Sequence, residues 1–270
     1  MRAFKNHFLF EFKTGIRDKN LLLLNYLFPL GFYIMLGFLM KNINPGFIEI
    51  IIPSMIVISI LISAILGLPD PLVKSREAGI FRSYKINGVP APSIVFIPPL
   101  TTVVHMVVVA IIIVPTAFVL FKAPLPQNWY GFLLIFLLTV FTNSGLGVLI
   151  GVSSSNSRAT ILWSQLIFLP SMMIGGFFIP QNLMPDILKK IGLLLPTTHA
   201  VNLFRYYSYN QPIGYNPLWS LVILLAAGLL AFGLAIYLFN WDNQNKTRKG
   251  HPAIAFVVII PLIIGAILLP

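Results

Sequence analysis

The sequence predicts an all-α integral membrane protein, and three observations support this fold class. Of the 270 residues, 57% are hydrophobic and only 9% are charged, whereas a soluble domain carries about 25% charged residues to cover its surface. The apolar residues come in continuous runs rather than in alternation, which favours a helical bundle over a β-barrel. The prolines and glycines follow no period, which excludes a collagen-like chain.

Six apolar runs are long enough to cross a bilayer, which requires about 20 residues. They are Leu21–Met40, Phe47–Leu68, Ser93–Phe121, Trp129–Val152, Ile161–Ile179 and Pro217–Phe239. A last run, Pro252–Pro270, is a candidate seventh span, barely long enough and interrupted by Pro261. We therefore divide the chain into a segment 1–20, a transmembrane domain 21–240, and a cytoplasmic linker with a candidate extra helix in 241–270.

The distribution of basic residues predicts the orientation of these spans. The net charge is +11, from 18 Lys and Arg against 7 Asp and Glu. With the N-terminus in the cytoplasm, 13 of these 18 basic residues fall in inside segments, as the positive-inside rule requires. We expect a multi-pass protein of the plasma membrane, whose charge reflects topology and not nucleic-acid binding. The absence of cysteine excludes disulfides, thiolate catalysis and Cys-ligated metals.

Residues 1–20 predict an amphipathic helix that lies in the cytoplasmic membrane interface. Apolar side chains recur every four residues at Phe4, Phe8, Phe12 and Ile16, with basic residues on the other side of the helical wheel. The alternative is a short basic tail that only sets topology.

The loop 69–92 is the most informative cytoplasmic segment. Ile80, Phe81 and Tyr84 share one face of a short predicted helix that prolines bound on both sides. A helix that exposes apolar side chains to the cytoplasm needs a partner or a lipid surface. The alternative is a basic loop that only satisfies the positive-inside rule.

The segment 180–210 is too polar to span and too apolar for a solvated loop. Met184, Ile187 and Leu188 begin an apolar face, and Pro196 ends that helix before a further turn at His199. We predict two short helices that pack on, or dip into, the outer half of the bundle. A direct role in gating and a role as a capping loop both remain open.

The sequence contains no recognisable catalytic constellation. Its four histidines are far apart, and it has neither a metal-binding H-E-x-x-H nor a nucleophile elbow. It also lacks a G-x-x-x-x-G-K-[ST] loop for phosphates, so any ATP that drives the protein must bind to another chain. We interpret His105 as a neutral imidazole bonded to a neighbouring helix, and Gly147 and Gly151 as a G-x-x-x-G contact between helices.

Two motifs and the layout of the chain resemble the membrane subunits of ABC-2-type transporters, over about residues 1–240. The first motif is Glu77-Ala78-Gly79-Ile80-Phe81-Arg82, which is similar to the family's coupling segment. The second is the block from Ser171 to Arg205, SMMIGGFFIPQNLMPDILKKIGLLLPTTHAVNLFR, in which Pro180, Pro185, Pro196 and His199 are the matching positions. The candidate seventh span departs from the family, whose members mostly stop after six.

The resemblance implies a permease subunit and not an enzyme. Two such subunits, as a homodimer or with a homologue, would form the pathway, while ATP-binding cassette ATPase subunits hold ATP and Mg, so that this chain binds no cofactor. The coupling contact would include Glu77, Gly79, Ile80, Phe81 and Arg82. The outer gate would include Pro180, Met184, Pro185, Ile187, Leu188, Pro196 and His199.

The expected function is export of an amphiphilic drug, antibiotic or lipid-like molecule. The alternative is an ion-driven secondary transporter, but such proteins usually carry charged groups near the membrane midplane and internal repeats, and this sequence shows almost none. A membrane-embedded enzyme that acts on lipid lacks the necessary pair of acid/base or metal-ligating residues.

Overall fold

A computed structural model describes residues 2–178, 184–242 and 250–269, and these residues form helices with no strand among them. This confirms the all-α fold class. The helices are α1 (Arg2–Arg17), α2 (Lys19–Ile43), α3 (Gly46–Glu77), α4 (Ile80–Ile86), α5 (Ala91–Phe121), α6 (Trp129–Ser153), α7 (Ser157–Ile174), α8 (Asp186–Gly192), α9 (Pro196–Tyr209), α10 (Pro217–Leu238) and α11 (Pro252–Leu268).

Within the described residues, five helices are long and apolar enough to cross a membrane. They are α2, α3, α5, α6 and α10, with 25, 32, 31, 25 and 22 residues. The expected count of six is not confirmed. The run predicted as the fifth span, 161–179, forms α7, an 18-residue helix that starts earlier and ends at Ile174. Arg158, Ser164 and Gln165 lie within α7 and reduce its hydropathy.

Helix α3 lies at the centre of the bundle. Every residue of its segment Ile51–Leu61 is buried, as expected for a helix that is hydrophobic on all sides. Both α2 and α3 contain a wider, π-type turn, at Leu23–Leu27 and Ile62–Gly67. At these turns the Ser63 hydroxyl donates a hydrogen bond of 2.5 Å to Asn25 Oδ1, so a buried polar pair joins the two helices.

Two glycines allow α6 to approach α3 closely. A Cβ added to Gly147 would lie 2.0 Å from the backbone oxygen of Ala64, and one added to Gly151 would lie 2.9 Å from that of Pro69. The G-x-x-x-G pair therefore forms the close helix contact expected from the sequence. It places the backbones of α3 and α6 against each other along one full turn.

Helix α9 fills the bundle at the end opposite to α1. Eleven of its 14 residues are buried, from Pro196 to Phe204 and again at Ser208 and Tyr209. A Cβ on Gly131 of α6 would lie 2.4 Å from the Tyr207 oxygen of α9. The predicted second short helix of the 180–210 segment is therefore an interior element of the bundle and not a cap on its surface.

Helix α11, in the candidate seventh span, lies along α10. A Cβ on its Gly265 would lie 2.6 Å from Ile223 Cδ1 of α10, and Phe256 packs edge-on against Trp163 of α7 at 5.4 Å. Its first 8 residues are a 3₁₀ helix and the next 9 are α-helical. Because a 3₁₀ helix rises about 2.0 Å per residue, the 17 residues extend for about 30 Å, which matches the hydrocarbon thickness.

We expect Gly147→Ala to destabilise the protein by about 1–3 kcal/mol, because the new methyl group would overlap the α3 backbone. The matched control is Gly233→Ala in α10, where an added Cβ meets no atom within 4 Å and the substitution should stabilise the helix by about 0.5–1 kcal/mol. Thermal unfolding in detergent measures both. Equal effects of the two substitutions would contradict the proposed α3–α6 contact.

Candidate functional site

One end of the bundle, which we call the α1 end, combines α1, α4 and the chain that follows α6 and α10. The rings of His7 in α1 and Tyr84 in α4 lie 5.1 Å apart, and the rings of Phe81 in α4 and Phe239 lie 5.7 Å apart. The 77–86 segment, which contains the expected coupling residues, therefore packs between the N-terminal helix and the end of α10.

A left-handed glycine connects α3 to α4. Gly79 has a φ of +73°, and an added Cβ would meet no atom within 4 Å. Glycine is therefore favoured here by backbone conformation and not by lack of space. The turn redirects the chain so that α4 begins immediately after the long helix α3 ends.

The five expected coupling residues differ in whether they face the bundle or the surface. Phe81 is 5% exposed and packs in an apolar cluster with Leu72 of α3. Glu77, Ile80 and Arg82 are exposed, and Arg82 forms an ion pair with Asp242. Phe81 thus anchors α4 to the bundle, while the side chains of Glu77 and Ile80 are presented outward.

Arg76 is a functional residue that sequence reasoning did not select. It is 5% exposed, its Nη1 donates a hydrogen bond of 2.8 Å to the Val152 oxygen, and its Nη2 donates one to the Ser154 oxygen. Those carbonyls end α6, where a cation is favourable for both hydrogen bonding and the helix dipole. In the sequence Arg76 resembles any other positive-inside residue; only the position of α6 distinguishes it.

Helix α1 docks onto α5 through His105. The Phe12 ring stacks on the His105 ring at 5.1 Å, and a Cβ on Gly15 would lie 2.9 Å from His105 Nε2. On the other side, the Tyr26 hydroxyl of α2 lies 2.6 Å from His105 Nδ1. His105 therefore bonds to a neighbouring helix, as the sequence suggested.

The inward face of α1 differs from the expected apolar stripe. Gly15 is buried, and Glu11 and His7 lie about one and two turns before it on the same face, while Phe4 and Ile16 are exposed. Because Gly15 has no side chain, the His105 ring packs against α1 at this position. The buried face of α1 is therefore rotated relative to the face that the spacing of its apolar residues predicts. The exposed apolar residues and the basic residues of α1 still suit a membrane interface.

At the other end of the bundle, some of the expected gate residues are buried and others are exposed. Met184, Pro196 and His199 are buried, whereas Pro185, Ile187 and Leu188 are exposed. Pro180 lies outside the described residues. The short helix α8 therefore presents an apolar face outward, and Ile187 is 74% exposed on that face.

A chain of buried hydrogen bonds fixes the start of α9. His199 Nε2 donates to the Leu193 oxygen at 2.9 Å, which leaves Nδ1 to accept from the Ser220 hydroxyl of α10 at 2.8 Å. Tyr215 and Ser220 hydroxyls lie 2.8 Å apart, and Asn202 donates to the Tyr215 oxygen at 3.0 Å. The network joins the end of α8, α9 and α10.

The electrostatics of this end follow from burial. His199 is enclosed on all sides, so burial lowers the pKa of its imidazole to about 4 and keeps the ring neutral at physiological pH. On the exposed α8, the Lys189 ammonium lies 3.0 Å from Asp186 and lowers the pKa of that carboxyl. His199 thus acts as a neutral structural hub in the network.

Within the described ranges, no group of three or more His, Cys, Asp or Glu side chains could hold a metal ion.

We expect Arg76→Gln to destabilise the protein by about 1.5–3 kcal/mol, because two carbonyls at the end of α6 lose charge-assisted donors. The matched control is Arg82→Gln, which removes an exposed ion pair and should cost at most about 1 kcal/mol. Thermal unfolding in detergent, with proteolysis of the loop 77–90, measures both. A larger loss in the control than in Arg76→Gln would contradict the role of Arg76.

Several proteins named as permeases or transport proteins are similar to this chain. YvfS of Bacillus subtilis (strain 168), named as a transport permease, is 24% identical over 240 residues, which cover 87% of this chain and 95% of the relative. CtrC of Neisseria meningitidis serogroup B, named as a capsule polysaccharide export inner-membrane protein, is 30% identical over 114 residues, 42% of each protein. The ABC transporter G family member 20 of Dictyostelium discoideum is 26% identical over 212 residues, which are 77% of this chain and 28% of the relative.

The family model described as ABC-2 type transporter matches residues 3–209. The match includes α1, the 77–86 segment and α9, and it ends before α10 and α11. Together with the five apolar helices of spanning length among the described residues, it identifies a multi-pass membrane protein with the role of a transport permease. The chain belongs to the ABC-2 type transporter family.

Proposed function

We propose that this chain is the permease subunit of an ABC exporter that moves an amphiphilic molecule out of the cell with ATP hydrolysed by a separate subunit. The observation that supports this most strongly is the construction of α4. Phe81 holds one side of the helix in the bundle, while Ile80 and Ile86 are exposed, the last by 80%, as is Glu77 at the end of α3. A short helix that is anchored on one side and presents both isoleucine and basic side chains on the other is suited to contact a partner and to transmit force from it.

The force would travel along α3. Movement of α4 acts through Gly79 on Arg76, which is bonded to the end of α6. Helix α3 then runs to the opposite end, where the Ser54 hydroxyl donates to the Phe177 oxygen at 3.4 Å next to the segment that leads toward α8. In this mechanism ATP binding at the α1 end shifts α3 and α6 together and thereby opens the outer end at α8 and α9.

The proposed cargo class follows from the character of the bundle interior. In the described part of the chain, Arg76 is the only buried residue with a permanent charge. It lies at the α1 end. An interior with so little permanent charge favours an amphiphile over an ion. A second copy of the chain, or a homologue, would complete the pathway. If the protein were instead a secondary transporter, a cation or proton gradient would replace ATP as the energy source.

The proposed location is the plasma membrane with the α1 end in the cytoplasm. The basic residues of α1 and of the 77–86 segment lie at that end, as the positive-inside rule requires. The absence of cysteine allows a direct test with single-cysteine variants.

We expect a membrane-impermeant maleimide to label Gly214→Cys on intact cells and to label Ser83→Cys only after permeabilisation. Gly214 is exposed, with open space around it, and Ser83 is exposed on α4. Labelling of intact cells at Ser83→Cys and not at Gly214→Cys would overturn the orientation, and with it the coupling role of α4.

A second experiment tests the coupling surface. We expect an ATP-binding cassette ATPase to co-purify with the wild-type chain, and Ile80→Asp to reduce the amount retained at least tenfold because a carboxylate enters an apolar contact. The matched control is Ile191→Asp, an equally exposed isoleucine on α8 at the opposite end, which should retain the ATPase.

Equal retention of the ATPase by both variants would contradict the assignment of α4. Transport in vesicles that is driven by an ion gradient, without any ATPase, would favour the secondary transporter.

A further inference from the structure

A cavity of about 500 Å³ lies between α6, α7, α11 and the chain that enters α9. Its walls are mainly apolar. They include Leu146 and Leu149 of α6, Trp163 and Leu166 of α7, and Ala255 and Phe256 of α11. Its volume falls in the range of about 300–1,000 Å³ that is usual for sites that bind small molecules.

One wall of the cavity is built by α11, which lies outside the segment 3–209 that matches the family. The Phe256 ring packs edge-on against the Trp163 ring at 5.4 Å and joins α11 to α7 across the cavity. The rim is open, since Leu166 is 62% and Phe256 is 51% exposed. The cavity therefore opens sideways, between two helices, toward the surrounding bilayer.

The lining determines what the cavity can hold. Its one hydroxyl, on Ser153, already donates to the Leu149 oxygen at 2.7 Å. Water has too few polar partners to fill such a volume, and an empty volume would deprive the surrounding side chains of dispersion contacts. A membrane-spanning helix, with a diameter of about 10–12 Å, is too wide. A single hydrocarbon chain fits both the volume and the chemistry.

The polar end of the cavity indicates how such a chain is oriented. A smaller pocket lined by Arg76 and Asn240 shares Ser153 and Pro252 with the cavity. The apolar cavity thus ends beside the Arg76 guanidinium, at the α1 end. A basic residue next to the end of an apolar intramembrane site favours an anionic lipid headgroup at that end.

We propose that this cavity binds one acyl chain of a bilayer phospholipid, with the phosphate at the α1 end near Arg76. Two reasons favour a phospholipid over the transported molecule. The site selects only for an apolar chain with a polar head at the α1 end, and membrane phospholipid surrounds the open rim at all times. The bound chain completes the packing of α11 against α6 and α7.

The first test is retention of lipid by the full chain after purification in mild detergent. Mass spectrometry should find about one phospholipid per wild-type chain, and Ala255→Phe, which fills the cavity, should reduce that amount at least fivefold. The matched control, Val257→Phe, places the same ring on α11 outside the cavity lining and should retain the lipid. Equal retention in both variants, no retained phospholipid in the wild type, or retention of a molecule other than a phospholipid would overturn the proposal.

A second test avoids the large side chain, in case Ala255→Phe does not fold. The chain has no native cysteine, so Ala255→Cys can be labelled selectively with a small lipid-soluble maleimide. Added phospholipid should slow its labelling at least fivefold in delipidated detergent and leave Val257→Cys unchanged. Equal labelling of Ala255→Cys with and without phospholipid would overturn the proposal.

Discussion

The close contact between α3 and α6 is the constraint on which the rest of the structure depends. Gly147 and Gly151 bring the α6 backbone against the oxygens of Ala64 and Pro69, and Arg76 then binds the carbonyls at the end of α6. Lipid is as apolar as the helices, so association rests on packing and hydrogen bonds and not on the hydrophobic effect. Packing and hydrogen bonds are both concentrated at the α3–α6 contact, and they make these two long helices one unit.

The two ends of this unit are built differently. At the α1 end, aromatic and histidine rings pack between separate elements, and α4 is attached to α3 through a single glycine turn and the Phe81 anchor. At the other end, α9 is enclosed in the bundle and the His199 network ties it to α10. In the proposed transport cycle, α4 would act as a lever, and α9 would shift only when α3 moves.

Helix α11 lies outside the segment 3–209 that matches the family, and it packs against α7 and α10. The 3₁₀ geometry of its first half extends a short apolar run to about the thickness of the hydrocarbon core. The cavity that it helps to line lies between α6 and α7. The proposed lipid chain would fill the space that the side chains of α6 and α7 leave unoccupied.

The sequence alone determined the fold class, most helix positions, the G-x-x-x-G contact and the bonded state of His105, because hydropathy and small-residue spacing act locally along each helix. It also indicated the 77–86 segment and the short helices of 180–210. Only the tertiary structure showed that Phe81 faces inward, that Arg76 clamps α6, that Gly15 rotates α1 around His105, and that α9 is an interior helix. These features depend on which helix lies opposite each side chain, and no periodicity within one helix specifies its neighbour.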